Sequence, residues 1–335
     1  MSRLIRGTNV AVVGGAGFLG SHVVNHLVDD LFCDVLVIDN LITGRKEFIN
    51  RKARFEYADV TGSENYLLKL FKQHKTRYVL NYSAEPYIPK SFARPIHVAD
   101  INYLGALKVI NAAQEAGCEG ILQISSAEIY GEGNLVDTTT HETKEWRTFS
   151  TRPIDEYTLV KPHSTYGAAK AAIDFTIQAR WKEAQTPCIS LRQFNCLGER
   201  ETHPYVVPEI ISQLNKAPYV KLGNDSARDF LYAGDQAALA VELLEKGEFG
   251  EVYNLGSESA IKIYDLAHII ADIMGHPDIE IEVDQSRIRP WEIWHLQSCN
   301  DKIYSVISGR PKVGLVEALN KTVDYYKANN CSWGF

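Results

Sequence analysis

Residues 1–195 alternate between short apolar runs and longer segments with a helical period. Because strands that alternate with helices pair in parallel, and because helices cover both faces of a parallel sheet, this alternation predicts an α/β fold built on a doubly wound parallel sheet. The apolar runs are NVAVVGG, DVLVIDN, ARFEYAD, RYVLNYS, GILQISS and CISLRQFN, and helical segments such as Phe18 to Asp29 and His97 to Ala116 separate them.

The pattern loosens from about Cys196 onward, where prolines and glycines interrupt short helices and isolated strands such as EVYNLG and IEIEV. We interpret residues 196–335 mainly as a smaller C-terminal lobe that packs over the edge of the sheet, with some later segments returning to the first domain. The chain has 335 residues, of which 45% are hydrophobic, so it contains enough apolar side chains for both parts.

Composition excludes several kinds of partner. The chain carries 35 lysines and arginines against 42 aspartates and glutamates, a net charge of -7, which leaves no basic surface for a nucleic-acid backbone. No window approaches the length of an apolar membrane span, and the N-terminal residues lack the apolar stretch of a signal peptide. We therefore expect a cytoplasmic protein that binds neither nucleic acid nor a membrane.

The cysteines and histidines do not form a metal motif. No pair has CxxC or Cys/His spacing, which is typical of a chain in a reducing compartment without a disulfide scaffold or a structural metal. We therefore expect no metal ion and assign no function to His141, His163 or His203. The cysteines are Cys33, Cys118, Cys188, Cys196, Cys299 and Cys331.

A glycine-rich turn follows the first apolar run. Gly14, Gly17 and Gly20 have the spacing GxxGxxG, with a strand-like run before them and an amphipathic segment after them. Glycines at these positions permit a tight turn and a close approach of backbone N–H groups to a pyrophosphate at the helix N-terminus. The spacing predicts a dinucleotide site that includes Phe18 and Leu19 of the first helical turn.

The second apolar run ends at Asp39, about 20 residues after the turn, where a carboxylate can bind the adenosine ribose. Because such a carboxylate accepts hydrogen bonds from the ribose hydroxyls and repels a 2′-phosphate, it favours NAD over NADP, even with Arg45 close behind it. We assign Asn40 to the same site. Asp59 and Val60 follow the third run, where they either meet the adenine edge or form an ordinary strand end.

The spacing Tyr-x-x-x-Lys occurs twice, at Tyr157 with Lys161 and at Tyr166 with Lys170. Pro162 disfavours the α conformation at Lys161, whereas Tyr166 opens the uninterrupted helical pattern GAAKAAIDFTIQARW. Residues at i and i+4 share a helix face, and an ammonium group near a phenol is expected to lower the phenol pKa below its ordinary value of about 10. We therefore predict that Tyr166 is a general base and that Lys170 is its partner.

The chain resembles the extended short-chain dehydrogenase/reductases of the NDP-sugar epimerase/dehydratase type. The matching stretches, in order along residues 1–235, are GGAGFLG, VIDNLITGR, ADV, SAEPYIPKSF, INYLGALKVINAA, SSAEIYG, YGAAK, LRQFNCLGER and RDFLY. The resemblance implies a Rossmann-type NAD domain and a C-terminal lobe that binds a UDP-, dTDP- or GDP-linked sugar. It also implies a homodimer formed through two helices per subunit, here near residues 100–116 and 167–184.

The resemblance further implies which residues react. Ser126 and Tyr166 would bind the sugar oxygen that loses its proton while hydride passes from carbon 4 to NAD. The 4-keto sugar that results has an acidified proton on carbon 5. Glu128 lies two residues beyond Ser126, on the same face of an extended segment, where its carboxylate can remove that proton.

Residues 127 and 128 leave the reaction open. Sugar dehydratases and decarboxylases are similar to this chain in having a glutamate at 128, whereas 4-epimerases are similar in having an alanine at 127, where some dehydratases place an aspartate. We favour a 4,6-dehydratase-type reaction. The alternatives are a 4-epimerase with Glu128 as a structural acceptor, a uronic-acid decarboxylase, and a non-catalytic NAD-binding regulator.

The family's nucleotide-sugar contacts correspond to several positions here. Arg228 is the best match for a diphosphate ligand because a guanidinium binds phosphate oxygens in a bidentate manner. Arg289 is a second candidate, with Arg287 as its rival. The remaining substrate contacts implied by the resemblance are Asn195, Val206, Leu222 and Tyr87, with Lys90 beside Tyr87.

Overall fold

The computed structural model of the protein describes residues 3–133, 152–288 and 291–331. Within these ranges the strands are β1 (Asn9–Val13), β2 (Asp34–Asp39), β3 (Arg54–Tyr57), β4 (Tyr78–Asn81), β5 (Gly120–Ser126), β6 (Cys188–Gln193), β7 (Asn195–Leu197), β8 (Tyr219–Leu222), β9 (Ala227–Tyr232), β10 (Val252–Leu255), β11 (Ala260–Lys262) and β12 (Glu280–Val283). The α-helices are α1 (Phe18–Asn25), α2 (Glu64–His74), α3 (Ile88–Ala93), α4 (Pro95–Ala99), α5 (Ala106–Glu115), α6 (Thr165–Ala184), α7 (Val206–Leu214), α8 (Ala233–Lys246), α9 (Ile263–Met274), α10 (Asp301–Val306) and α11 (Leu315–Ala328).

Seven of these strands form one sheet in the order β10-β6-β5-β4-β1-β2-β3. Every pairing in this sheet is parallel. The chain order reverses between β1 and β4, and ligands of such folds bind outside the carboxyl ends of the strands at this switch point. The predicted doubly wound parallel sheet is therefore confirmed.

Helices cover both faces of the sheet because the side chains of β1 alternate between two apolar cores. Val10 and Val12 pack in the core shared with α1 and α8, whereas Ala11 and Val13 pack in the core shared with α2, α5 and α6. A strand that is buried on both faces has no polar side to show in its sequence. That is why these strands appear as continuous apolar runs.

The last strand of the sheet comes from the C-terminal part of the chain. Residues Val252–Leu255 of β10 pair in parallel with Ser190–Gln193 of β6. The interpretation of EVYNLG as an isolated strand is therefore wrong. All four residues of β10 are buried, and their backbone groups find partners on the open edge of β6.

The C-terminal part also has a core of its own. α7, α9 and α11 contribute Ile210, Leu266 and Val323 to one apolar cluster. A three-stranded sheet in the order β11-β9-β7 and the parallel pair β12-β8 flank this cluster, and β12 contains the IEIEV run. In the part of the chain that the structure describes, no helix combines the length and the apolar character that crossing a membrane requires.

Candidate active site

The glycine-rich turn joins β1 to α1 at the carboxyl edge of the sheet. Gly14 has a positive φ of 78°, and a Cβ there would lie 2.6 Å from the backbone nitrogen of Ser83. A Cβ on Gly20 would collide with the carbonyl oxygen of Gly14, so α1 packs tightly on the turn. Gly17 precedes α1 and has no side chain to cap it, which leaves the first N–H groups of the helix available to an anion.

Asp39 ends β2 and is 8% exposed. Its carboxylate accepts the backbone N–H of Ala16 at 3.0 Å and that of Leu41 at 2.8 Å, which ties the end of β2 to the glycine-rich turn. Burial raises the pKa of this carboxyl, and these backbone hydrogen bonds partly offset the rise. Because a carboxylate has about four acceptor positions, Asp39 retains the capacity to bind ribose hydroxyls.

Asn40 and Asp59 connect the ends of β2 and β3. The Asn40 amide donates to Asp59 Oδ2 at 2.8 Å. Burial of Asp59 works against ionisation, but hydrogen bonds from the Thr61 N–H and from Asn40 outweigh it and lower the pKa of this carboxyl. Val60 is buried against Gly105. The structure thus places the predicted adenine-edge residues beside Asp39, and their contact with a base stays a prediction.

α6 begins at Thr165, so the helix predicted to open at Tyr166 is confirmed. The hydroxyl of Ser164 caps it by accepting the N–H of Gly167 at 3.1 Å. Tyr157 lies instead in a turn and is 90% exposed. The two Tyr-x-x-x-Lys spacings therefore have different local structures, as the position of the proline indicates.

Tyr166 and Lys170 are buried together next to the end of β5. Tyr166 is 8% exposed, and Lys170 is 2% exposed. The Lys170 ammonium donates to the carbonyl oxygen of Ile124 at 2.9 Å and lies 6.0 Å from the centroid of the Tyr166 ring. The Ser126 hydroxyl lies close enough to the phenol to act on its pKa. The fold therefore brings Ser126, Tyr166 and Lys170 together at the carboxyl edge.

The electrostatics of this pair differ from the prediction. Burial raises the pKa of Tyr166 to about 12, against the effect of the Ser126 hydrogen bond and with a contribution from the Glu128 charge. Burial likewise lowers the pKa of Lys170 to about 8, while the charge of Asp174 opposes that change. The expectation that the Lys170 ammonium lowers the phenol pKa below 10 is wrong for the protein alone, where desolvation dominates and the ammonium donates to the Ile124 carbonyl oxygen.

The segment after Ser126 is not extended. Ala127–Tyr130 is a 3₁₀ turn, and the Ser126 hydroxyl caps it by accepting the N–H of Glu128 at 3.2 Å. The argument that Glu128 shares a strand face with Ser126 is therefore wrong. Glu128 nevertheless acts electrostatically on Tyr166, so the turn keeps its carboxylate near the phenol.

The loop that contains Tyr87 forms an aromatic and ionic cluster. The Tyr87 ring stacks on His203 with 5.9 Å between centroids and 6° between planes, and Tyr205 packs edge-on against both rings. Lys90 forms an ion pair with the buried carboxylate of Glu85. No sequence pattern indicated His203 or Tyr205, because they are far from Tyr87 along the chain.

The predicted contacts in the C-terminal lobe are spread over three elements. Asn195 begins β7 and pairs with Phe230 of β9. Val206 begins α7, and Leu222 ends β8, where both pack against the apolar core of the lobe. Their contact with a nucleotide stays a prediction.

Arg228 is already bound to a carboxylate. Its guanidinium lies 2.9 Å from Glu292 and also donates to the carbonyl oxygen of Ala227 at 2.9 Å. The Asn224 amide donates to the other oxygen of Glu292 at 2.8 Å. No sequence pattern indicated Glu292, although it lies three residues after Arg289.

The second predicted arginine, Arg289, lies outside the described residues. Its rival Arg287 is half-exposed and forms ion pairs with Glu209 at 2.9 Å and Asp284 at 3.3 Å. Two surface carboxylates therefore hold Arg287, which makes it the weaker candidate for a diphosphate ligand.

Two buried polar side-chain atoms without hydrogen-bond partners in the described part of the chain bear on whether a cofactor fits the carboxyl edge of the sheet. Gln193, at the end of β6, is paired in register with Ser126, and its Oε1 has no hydrogen-bond partner among the described residues. The same holds for Oγ of Ser91 in α3. Buried polar atoms are normally satisfied, so these atoms, together with the uncapped start of α1 and the Asp39 carboxylate, fit a bound dinucleotide.

A family model for the NAD-dependent epimerase/dehydratase family matches residues 10–256. The chain belongs to this family. The match covers β1 to β10 with the glycine-rich turn, Ser126, Tyr166 and Lys170, and it confirms the resemblance inferred from the sequence. The protein is an NAD-dependent enzyme of the epimerase/dehydratase kind, and its cofactor is NAD.

Individual relatives include both kinds of enzyme. A dTDP-D-glucose 4,6-dehydratase from Mus musculus is 29% identical over 97% of this chain and 90% of its own length. A putative UDP-glucose 4-epimerase from Methanocaldococcus jannaschii is 28% identical over 96% of this chain and 99% of its own. A Thermus thermophilus UDP-glucose 4-epimerase, solved with NAD, has a TM-score of 0.81 and 25% identity, and covers 95% of this chain and 99% of that one.

Proposed function

We propose that the protein oxidises carbon 4 of a nucleotide-diphosphate hexose and then dehydrates it across carbons 5 and 6, with Glu128 as the residue that acts at carbon 5. One arrangement carries the proposal: the Ser126 hydroxyl and the Glu128 carboxylate both lie close enough to Tyr166 to shift the pKa of its phenol. The relatives act on dTDP- and UDP-linked glucose, which supports a sugar joined to dTDP or UDP. A GDP-linked sugar is the third candidate.

The first step belongs to Tyr166 and Ser126. The phenolate takes the proton of the carbon 4 hydroxyl, while the Ser126 hydroxyl holds the same sugar oxygen. Because burial keeps the phenol protonated in the protein alone, the phenolate needs both the Lys170 cation and the positive charge of the oxidised cofactor. NAD, when bound, supplies the redox chemistry by accepting the hydride from carbon 4 and later returning it.

The cofactor site consists of the predicted residues around the switch point. The backbone of the glycine-rich turn and the start of α1 would bind the pyrophosphate, and Asp39 would bind the adenosine ribose. The full set comprises Gly14, Gly17, Phe18, Leu19, Gly20, Asp39, Asn40, Asp59, Val60, Tyr166 and Lys170.

Glu128 performs the second step. It removes the proton from carbon 5, which the 4-keto group has acidified, and the bond between carbon 6 and its hydroxyl breaks. The leaving hydroxyl needs a proton. Ala127 supplies none, because its methyl group has no acidic hydrogen, so the protonated Glu128 returns its proton to the departing oxygen, which leaves as water. Hydride then adds to carbon 6, and a solvent proton adds to carbon 5.

A 4-epimerase is the second candidate, and the same alanine favours it. Without a second acid next to Glu128, the 4-keto sugar could simply rotate and receive the hydride on its opposite face. Glu128 would then only accept hydrogen bonds. The epimerase relative and structure are consistent with this reaction.

The diphosphate of the substrate is assigned to Arg228. The guanidinium must exchange or share its bond to Glu292 for bonds to phosphate oxygens. Asn195, Val206, Leu222 and Tyr87 complete the proposed substrate contacts, and Arg289 belongs to the same proposal.

We also propose a cytoplasmic homodimer. Apolar side chains on α4, on the π-helical turn Asp100–Gly105 and on α6 are exposed, namely Ile96 at 85%, Leu104 at 47% and Phe175 at 56%. These elements pack on one another, so the side chains belong to one helical surface that a second copy would cover. All six cysteines are free, which is consistent with a reducing compartment.

Incubation with UDP-, dTDP- and GDP-hexoses in deuterated water tests the reaction. The proposal expects loss of water from the sugar and one solvent deuterium at carbon 5, measured by mass spectrometry and proton NMR. A product inverted at carbon 4 without deuterium at carbon 5 would establish the epimerase instead. Carbon dioxide released from a uronic sugar nucleotide would identify a decarboxylase.

Glu128→Gln is the informative variant in this assay. It should still oxidise carbon 4, which appears as reduced cofactor absorbance, but it should incorporate no deuterium at carbon 5. Normal deuterium incorporation by Glu128→Gln would contradict the role of this carboxylate. If the wild-type protein turns over none of these sugars, the non-catalytic regulator becomes the better description.

A further inference from the structure

α6 carries three buried ionisable side chains in one row. Tyr166, Lys170 and Asp174 follow each other at intervals of four residues, and they are 8%, 2% and 0% exposed. Residues at this spacing lie on the same helix face. The proposed reaction uses the first two residues and leaves the third, a fully buried carboxylate, without a role.

Asp174 is held in place from β6. Arg192 donates from Nε to one carboxylate oxygen at 2.8 Å, and the Ser190 hydroxyl donates to the other. Arg192 is itself fixed by donating to the Tyr130 hydroxyl at 2.7 Å and to the carbonyl oxygen of Glu156 at 3.3 Å. The carboxylate therefore cannot rotate away from the helix face that it shares with Lys170.

The surroundings of Lys170 explain why a fixed carboxylate matters. The ammonium is fully desolvated and donates to a backbone carbonyl oxygen, a neutral acceptor. On its own helix, Tyr166 and Asp174 lie one turn to either side of Lys170, and Arg192 of β6 is bonded to Asp174. From β5, the Ile124 carbonyl oxygen accepts from the ammonium, and the Ser125 hydroxyl donates to the backbone carbonyl oxygen of Lys170. Asp174 is the charge that favours the protonated form of this lysine.

We propose that Asp174 is a positioning residue that keeps the Lys170 ammonium charged beside Tyr166, and that Arg192 and Ser190 hold Asp174 for this purpose. The inference rests on the proposed function, because a charged Lys170 matters only if Tyr166 must become a phenolate. Asp174 does not touch the substrate or the cofactor in this scheme. It acts through Lys170.

A purely structural ion pair is the competing explanation, because Asp174 and Arg192 are both buried and would need each other in any case. The two explanations differ in what they predict for Lys170. Under the structural one, loss of the Asp174 charge changes stability but leaves the protonation of Lys170 unchanged. Under ours, the lysine loses its proton at lower pH.

NMR titration of the side-chain carbon next to the Lys170 ammonium tests this, with the signal assigned from its loss in Lys170→Arg. The midpoint, about 8 in the protein, should fall by about one pH unit in Asp174→Asn, a tenfold change in the protonation constant. Asp174→Glu should retain most of the midpoint because it keeps the charge. An unchanged midpoint in Asp174→Asn would refute the proposal.

Asp174→Asn leaves Arg192 buried without its carboxylate and is the variant at risk of not folding. The double variant Asp174→Asn with Arg192→Gln removes both charges and should fold. Its lysine midpoint should also lie below that of the wild type, and a midpoint at or above the wild-type value would refute the proposal. Glu119→Gln, which breaks the exposed pair with Arg77, is the matched control and should leave the midpoint unchanged.

The titration needs neither substrate nor turnover, so it separates this inference from the proposed function. If the Lys170 midpoint moves as expected while Tyr166→Phe retains full sugar-nucleotide turnover, the proposed function fails and the electrostatic coupling stands. If Tyr166→Phe is inactive and the midpoint does not move, the positioning role of Asp174 fails alone.

Discussion

The Arg228 guanidinium and the Glu292 carboxylate lie 2.9 Å apart, and each side chain is 9% exposed. A diphosphate that binds Arg228 therefore competes with an internal carboxylate. Removing the charge of Glu292 should strengthen sugar-nucleotide binding, because the carboxylate that competes with phosphate for Arg228 is then gone.

Glu292→Gln is expected to lower the KM for the sugar nucleotide several-fold, and Arg228→Gln to raise it by about 10- to 100-fold, the loss of a charge-assisted hydrogen bond. Calorimetric titration with UDP and dTDP measures the same effect without turnover. Arg287→Gln removes a half-exposed arginine and is the matched control. Equal affinities in all three variants would show that the diphosphate binds elsewhere.

The two tyrosines of the repeated spacing provide a second prediction. Tyr166→Phe should reduce kcat by about 10²- to 10⁴-fold, because the general base is lost while the ring remains. Tyr157→Phe should retain full activity, because this side chain is 90% exposed in a turn. A comparable loss in both variants would contradict the assignment of Tyr166.

Lys170 makes the stability depend on pH. Its pKa falls from 10.5 to about 8 on folding, so between these pH values the unfolded chain binds a proton that the folded protein does not. The free energy of unfolding therefore rises by on the order of 3 kcal/mol as the pH rises from about 8 to 10.5. This contribution is lost again as the pH falls back to about 8.

Denaturant unfolding at pH 7.5 and pH 10 checks this contribution. Lys170→Met should show a smaller increase in the free energy of unfolding between the two pH values than the wild-type protein. Lys161→Met, at an exposed lysine, should show the wild-type increase. An identical pH dependence in Lys170→Met and the wild type would mean that Lys170 titrates normally.

The proposed dimer interface predicts a change of assembly. The double variant Ile96→Glu with Phe175→Glu places charges on the exposed apolar surface of α4 and α6, so it should sediment as a monomer where the wild type sediments as a dimer. Leu4→Glu alters an exposed apolar residue outside this surface and should leave the dimer intact. A dimer that persists in the double variant would place the interface elsewhere.

Features that depend on local backbone chemistry could be predicted from the sequence. Gly14 needs a positive φ and no Cβ, and Asp39 ends a strand beside it, so the dinucleotide turn is recognisable from spacing alone. Pro162 distinguishes the two Tyr-x-x-x-Lys spacings because a proline restricts the residue before it. These arguments use neighbours along the chain, and the structure agrees with each predicted element.

Features that depend on distant partners could not be predicted. A 3₁₀ turn follows Ser126 in place of the extended segment that was predicted to put Glu128 on the same face as Ser126. Glu292 reaches Arg228 from another part of the lobe, and no spacing connects them. The EVYNLG run resembled an isolated strand because its partner, β6, lies far earlier in the chain.

The parallel sheet, the glycine-rich turn at its switch point and the helix that starts beside Tyr166 could all be predicted from the sequence, because they follow from strand periodicity, glycine geometry and the restriction that proline imposes. The electrostatics around Tyr166 depend instead on the folded chain. Desolvation by the surrounding chain raises the phenol pKa and lowers that of Lys170, and Asp174 and Arg192 meet only where α6 packs on β6. The pKa of a buried group depends on every atom packed around it, and that packing exists only in the fold.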